Sequence, residues 1–236
     1  MTPDKTGGGA AHLAMEGFPR GFRFVGVHAG FKKKPQALDL ACILTDKPVV
    51  AGAVFTSNRV KAAPVVYDMK AIKRRIRAVI VNSGCANAFT GRKGELAVQR
   101  TCLAAAREFG ISVREILVAS TGVIGVDLPL DVMERGLRRA NVALKMEAAL
   151  GRRGADDASK AIMTTDTKPK VSSRIVKTDG GVFHVFGMAK GAGMIHPGMA
   201  TLLAFVVTDV AAPRPFIQRA AKEAADASFN RISIDG

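Results

Sequence analysis

The 236-residue sequence contains no tryptophan, one tyrosine, three cysteines and four histidines. Its densest basic clusters, Lys32 to Lys34 and Lys73 to Arg77, are not interleaved with the aromatic side chains that stack on bases. The formal charge of +15 is therefore read as solvated surface charge, and no nucleic-acid partner is expected. Cys42, Cys85 and Cys102 are odd in number and lack CxxC spacing, which predicts free thiols and no disulfide framework. His12, His28, His184 and His196 are scattered and share no ligand spacing, so no metal site is expected. The longest apolar runs, Val49 to Phe55 and Leu202 to Val207, fall far short of the roughly 20 residues a bilayer-spanning helix needs. No membrane partner is expected. The N-terminus lacks the basic start and apolar stretch of a secretory signal, so residues 1–20 read as a flexible, glycine-containing lead-in and the cytoplasm as the location.

What is present is an alternation of short β-rich runs with amphipathic helices. The runs Ala78 to Gly84 and Glu115 to Gly122 read as strands that break into small polar turns. The helix between them ends at Gly110. A second helix is read in 129–140, where Leu130, Met133 and Leu137 recur at helical spacing. A third follows Pro213 and Pro215, with Phe216, Ala220, Ala224 and Phe229 on one side. Arg174 to Phe186 reads as a hairpin turning at Asp179-Gly180-Gly181. The run Leu202 to Val207 reads as a core strand. The class is mixed α/β, with glycine-rich turns at "NSGCANAFTG", "ASTGVIG" and "KGAGMIHPGM". None of these has the spacing of a phosphate loop or a dinucleotide fingerprint.

The junction "GMA/TLL" carries the sharpest chemistry. A threonine hydroxyl is a weak nucleophile unless a base takes its proton, and no Ser/His/Asp pattern supplies one. Cleavage between Ala200 and Thr201 would free a Thr201 α-amine, with an ordinary pKa near ~8, beside its own hydroxyl. Pro197 and Gly198 can hold a strained turn there, and Ala200 leaves room for attack on its carbonyl carbon. The bland alternative is a β-branched residue opening a strand. Likewise "STG" alone reads equally as a plain turn, Lys190 as a solvated lysine and Thr164 as a cap. Cys85 invites a rival reading as a catalytic thiol, but no histidine stands near it in sequence.

In order along the chain, "NSGCANAFTG", "ASTGVIG", "AIMTTDT", "KGAGMIHPGMATLLAF" and "SFNRISIDG" resemble the ornithine acetyltransferase (glutamate N-acetyltransferase) family of arginine biosynthesis. "GFRFVGVHAGFKK" and "AGAVFTSNRVKAAPV" extend the likeness from about Gly21 to the end of the sequence. The resemblance implies a layered α-β-β-α sandwich and a precursor that cuts itself between Ala200 and Thr201. Residues 21–200 would form the α chain and 201–236 the start of the β chain, assembled as two α and two β. It implies Thr201 as the acetyl-accepting nucleophile and a substrate contact. Thr121 and Gly122 would form the oxyanion hole, and Thr164 and Lys190 would be further substrate contacts. The implied reaction moves an acetyl group from N-acetylornithine to glutamate and needs no metal or organic cofactor, with acetyl-CoA a donor in some members.

The sequence departs from the family pattern at Gly198, where asparagine is common, at Leu202, where methionine is common, and at Cys85, where asparagine is frequent. The family continues well past "SFNRISIDG", which leads to the expectation of a truncated sequence whose β-chain remainder is absent. Two competing readings are an N-terminal-nucleophile aminopeptidase, distinguished by peptide hydrolysis, and a non-enzymatic basic binding protein, distinguished by steeply salt-dependent binding without transfer.

Overall fold

A computed structural model describes residues 17–146, 151–199 and 201–235. The lead-in before residue 17 and Ala200 lie outside the described residues. Two sheets are formed. In the first, β1 (Phe22–Val27), β2 (Leu40–Val49) and β3 (Ile76–Cys85) run antiparallel, and β4 (Ile116–Val123) lies parallel to β3 in the order β1-β2-β3-β4. A parallel pair needs a crossover, which α2 (Gly91–Phe109) supplies together with a 3-10 turn at Val113–Glu115. In the second, β5 (Lys170–Thr178), β6 (Gly181–Lys190) and β7 (Leu203–Thr208) form an antiparallel meander. The remaining helices are α1 (Ala63–Ala71), α3 (Leu130–Leu144), α4 (Arg152–Ala161) and α5 (Arg214–Ala227), followed by a 3-10 turn at Phe229–Arg231.

Side chains alternate across the first sheet, so consecutive residues of β2 serve different cores. Leu40 and Cys42 join Ile80, Ile116 and Val118 under α2 and α3, where Cys102, Met133 and Leu137 complete the layer. Ala41 and Ile43 face the opposite way, with Phe24 and Val81, onto α4 and the second sheet's Phe186 and Met188. Each large apolar side chain buried this way contributes about 2 kcal/mol. The α4 helix buries Ala155, Ala158 and Ala161, and it lies so close to β1 that a Cβ on Gly26 would sit 2.1 Å from the Asp157 carbonyl oxygen. The layers are thus helices, sheet, then α4 with the second sheet: the mixed α/β architecture with two sheets expected from the sequence.

Three local readings change. Phe18 packs on Phe24 and Phe186, so the core takes in a residue that the sequence reading assigned to the lead-in. The hairpin turns at Asp179 and Gly180 as read, but β7 is an edge strand with one packed face. Leu203, Phe205 and Val207 meet the core while Val206 is 65% exposed. The apolar stripe of α5 is not buried: Phe216 is 49% exposed and Ala225 is the helix's buried residue. That helix docks instead on the extended segment 51–55. The Gln218 side-chain amide and the Ala53 backbone exchange two hydrogen bonds, at 3.1 and 2.9 Å. All three cysteines are free and buried, and among the described residues no helix is long and apolar enough to cross a membrane.

Candidate active site

Parallel pairing of β3 and β4 brings their carboxyl ends side by side, which aligns "NSGC" with "STGV". Ser83 stands opposite Thr121, and Gly84 opposite Gly122. The strand ends are locked by Asn82, which is buried. Its Oδ1 accepts from Ser120 Oγ at 2.6 Å and its Nδ2 donates to the Cys85 carbonyl at 2.8 Å. Gly122 has φ +131°, and a Cβ there would lie 2.4 Å from the Gly84 carbonyl carbon. Only glycine fits that approach.

The second sheet delivers Lys190 at the end of β6. Its side chain is nearly enclosed, the residue being 3% exposed, and Nζ donates to Thr121 Oγ1 at 3.0 Å. Burial pushes the Lys190 ammonium below its ordinary pKa; nearby Asp166 opposes the shift and Lys170 adds to it. Asp166 is the hub beneath. Its carboxylate accepts from the backbone N–H of Gly191 at 2.8 Å, from that of Thr164 at 3.4 Å, and from Lys170 Nζ at 2.5 Å. Burial alone would raise the Asp166 pKa. The hydrogen bonds from Lys170, Gly191 and Thr164, with the Lys170 charge, outweigh it and hold the carboxyl below the usual range.

The segment carrying Thr164 is anchored where α4 ends, because Ser83 Oγ donates to the Ala161 carbonyl at 2.5 Å. Lys32 completes the polar cluster. The buried Asp39 accepts the backbone N–H groups of Ala29, Gly30 and Lys32 and so fixes that loop. Burial lowers the Lys32 pKa, offset by Asp39 and Asp166 and reinforced by Lys190. Three lysines, Lys32, Lys170 and Lys190, thus face two carboxylates, Asp39 and Asp166, a small surplus of positive charge suited to an anionic ligand.

Thr201 stands at the entry to β7. Leu203 pairs with Lys190, and a Cβ on Gly191 would lie 3.7 Å from the Thr201 carbonyl oxygen. Thr201 is exposed and has φ +59°, a left-handed conformation that is unfavourable for a β-branched residue. The fold thus bonds Lys190 to Thr121, beside Gly122, links the Thr164 and Gly191 backbones through the Asp166 carboxylate, and brings the Thr201 carbonyl near Gly191. Ala200, the other half of the expected cleavage site, lies outside the described residues. Sequence reading missed Asp166, Asn82, Ser120 and Lys32, although "TTDT", "NSG", "AST" and "FKK" all lay within the quoted motifs. For Asp166, Asn82 and Ser120 the signal was a short polar residue beside a strand end or in a turn, which many turns share. Lys32 reads in the sequence as solvated surface charge, whereas burial dominates its electrostatics.

Over residues 23–236 the sequence matches the ArgJ family. The arginine biosynthesis bifunctional protein ArgJ of Geobacter sulfurreducens is 47% identical over 218 residues, covering 92% of this chain and 54% of that protein. The crystal structure of ArgJ from Bacillus halodurans superposes with a TM-score of 0.70 at 41% identity, over 77% of this chain and 92% of that one. Ornithine acetyltransferase from Mycobacterium tuberculosis, solved with ornithine, gives 0.68 at 40% identity, over 79% and 94%. The chain spans about half the length of the curated relatives it matches. A family match running from β1 through the last described residues, and a fold shared with two solved members at about 40% identity, lead to one assignment: the chain belongs to the ArgJ family.

Proposed function

We propose that this chain provides the nucleophile and oxyanion hole of an acetyltransferase that moves an acetyl group from N-acetylornithine to glutamate. The observation that carries the proposal is the convergence of Lys190, bonded to Thr121, with Thr201 at the adjoining strand entry. Its support from outside the chain is membership of a family whose relatives are named for arginine biosynthesis, one of them solved with ornithine.

In the first step Thr201 Oγ attacks the Ala200 carbonyl carbon and the acyl group passes from nitrogen to oxygen. Water then hydrolyses the ester, leaving the Ala200 carboxylate and a free Thr201 α-amine. Left-handed conformations at Gly198, Met199 and Thr201, with φ of +88°, +58° and +59°, favour this step. Each non-glycine residue so held costs about 1–2 kcal/mol, which chain scission can release.

In the second step the α-amine takes the hydroxyl proton while Oγ attacks the acetyl carbon of N-acetylornithine. Negative charge develops on the acetyl oxygen, where the Thr121 hydroxyl and the Gly122 N–H donate. Because Lys190 donates to Thr121 Oγ1, the Thr121 hydrogen is left to point at that oxygen. Ornithine departs with the proton, and the glutamate amine attacks the acetyl-threonine ester to give N-acetylglutamate. The lysine-rich cluster and Thr164 serve the substrate carboxylates. Acetyl-CoA as a second donor, an assembly of two α and two β pieces and a cytoplasmic location belong to the same proposal.

Intact mass under denaturing conditions tests it. The expected result is two pieces divided before Thr201, and one uncut piece in Thr201→Ala. Transfer from N-acetylornithine to glutamate is then assayed with the chain alone and with the chain joined to the C-terminal half of a relative. Normal cleavage in Thr201→Ala, or peptide hydrolysis in place of transfer, would overturn the reading.

A further inference from the structure

The loop that leads into Thr201 is gripped by a distant side chain. Asn230, on the 3-10 turn Phe229–Arg231, accepts two consecutive backbone N–H groups on one oxygen: Gly198 at 3.1 Å and Met199 at 3.2 Å. Its orientation is set from behind, since Nδ2 donates to Asp226 Oδ1 at 2.8 Å. The other side of the loop is held by the Ser57 N–H, which donates to the Gly198 carbonyl at 3.2 Å. Upstream, Ile195 and Ile234 exchange backbone hydrogen bonds and Asp235 Oδ2 accepts from the Met194 N–H at 2.9 Å.

We infer that Asn230 is a positioning residue for self-cleavage, holding residues 198 and 199 in the left-handed turn that delivers the chain to Thr201. This rests on the cleavage reading given above. Consecutive N–H groups in such a turn form a small anion-binding nest that a single oxygen can fill. Met199, with φ +58°, gains nothing from that conformation by itself and keeps it only where its surroundings impose it. Gly198 tolerates its φ of +88°, and a Cβ there would meet Ser57 Oγ at 2.7 Å. Asn230 therefore supplies one side of a clamp whose other side is Ser57, through its N–H to the Gly198 carbonyl and its Oγ close against Gly198. It does not touch the scissile bond, and it acts through the backbone two and three residues before Thr201.

The test follows cleavage of the full chain in a cell-free synthesis pulse-chase, read by denaturing intact mass, for wild type, Asn230→Ala and the exchanged pair Asp226→Asn with Asn230→Asp. The exchange returns an acceptor oxygen to the loop and a donor behind it. The expected result is that Asn230→Ala slows cleavage by about tenfold or more, the scale of one to two lost hydrogen bonds, with thermal midpoint little changed. The exchanged pair recovers most of the rate. Cleavage of Asn230→Ala at the wild-type rate would overturn the inference while leaving the cleavage reading intact. So would a folded exchanged pair that cleaves no faster than the alanine variant; if Asn230→Ala fails to fold, the exchanged pair is judged against wild type. An uncut wild-type chain would overturn the cleavage reading and this inference with it.

Discussion

Lys190 Nζ lies 3.0 Å from Thr121 Oγ1, joining the last residue of β6 to the sixth residue of β4 across the meeting of the two sheets. Neither side chain alone makes a site. Together they set the direction in which a hydroxyl proton points, and they make the strand end of one sheet dependent on the other.

On the proposed mechanism, removing the Thr121 hydroxyl should lower the maximal transfer rate more than it weakens substrate binding. Thr121→Ala is expected to cost about a hundredfold in kcat, the usual scale for one oxyanion donor. Lys190→Met should act in the same direction by freeing the hydroxyl to turn. Steady-state kinetics of both variants check this. A raised KM with unchanged kcat in Thr121→Ala would assign Thr121 to binding instead.

Gly122→Ala should be as damaging as loss of the hydroxyl, for a different reason. The added Cβ would stand 2.4 Å from the Gly84 carbonyl carbon, at a φ of +131° that side chains avoid. The β3 and β4 ends must part, which displaces the Gly122 N–H and Thr121 together. Hydrogen exchange confined to these strand ends, with activity lost, is the expected signature.

Gly26→Ala tests the packing beneath the site. Its Cβ would overlap the Asp157 carbonyl of α4, and backbone cannot yield as a flexible side chain can. A loss of about 3 kcal/mol is expected in denaturant unfolding. Since α4 leads directly to Thr164 and Asp166, activity should fall with it.

Asp68 gives the chain a pH dependence of its own. Burial pushes its pKa up to about 8, against the opposing hydrogen bond that it accepts from the Val118 N–H at 3.1 Å. With an unfolded value near ~3.9, the folded state holds a proton that the unfolded state has released across the window from about 4 to 8. Stability should therefore fall as pH rises through that window and level off above it. Asp68→Asn keeps an acceptor for Val118 and removes the proton. Thermal midpoints at pH 5 and pH 8 should differ less in the variant than in wild type.

Much of this protein is determined by the sequence itself. Strand, helix and turn identities follow from local physics: the period-2 and period-3.6 patterns, Gly110 ending α2, and Asp179-Gly180 closing the hairpin. The candidate nucleophile is local as well, because a threonine and its own α-amine need only one cut bond between them. Tertiary structure decided what depends on distance along the chain. The Lys190 to Thr121 bond spans 69 residues, and the Asn230 grip on Gly198 spans 32. No periodicity encodes such pairings; the first exists because β6 ends beside β4, and the second because the turn after α5 returns to the loop that follows β6. Exposure was likewise decided by neighbours. The apolar run 202–207 reads as core, yet Val206 is open, because side chains alternate along β7 and the core packs on the face that carries Leu203, Phe205 and Val207. Asp166 marks the same boundary: an ordinary aspartate in "TTDT", it becomes the hub of the site only when the fold encloses it and brings Gly191 and Lys170 to its oxygens.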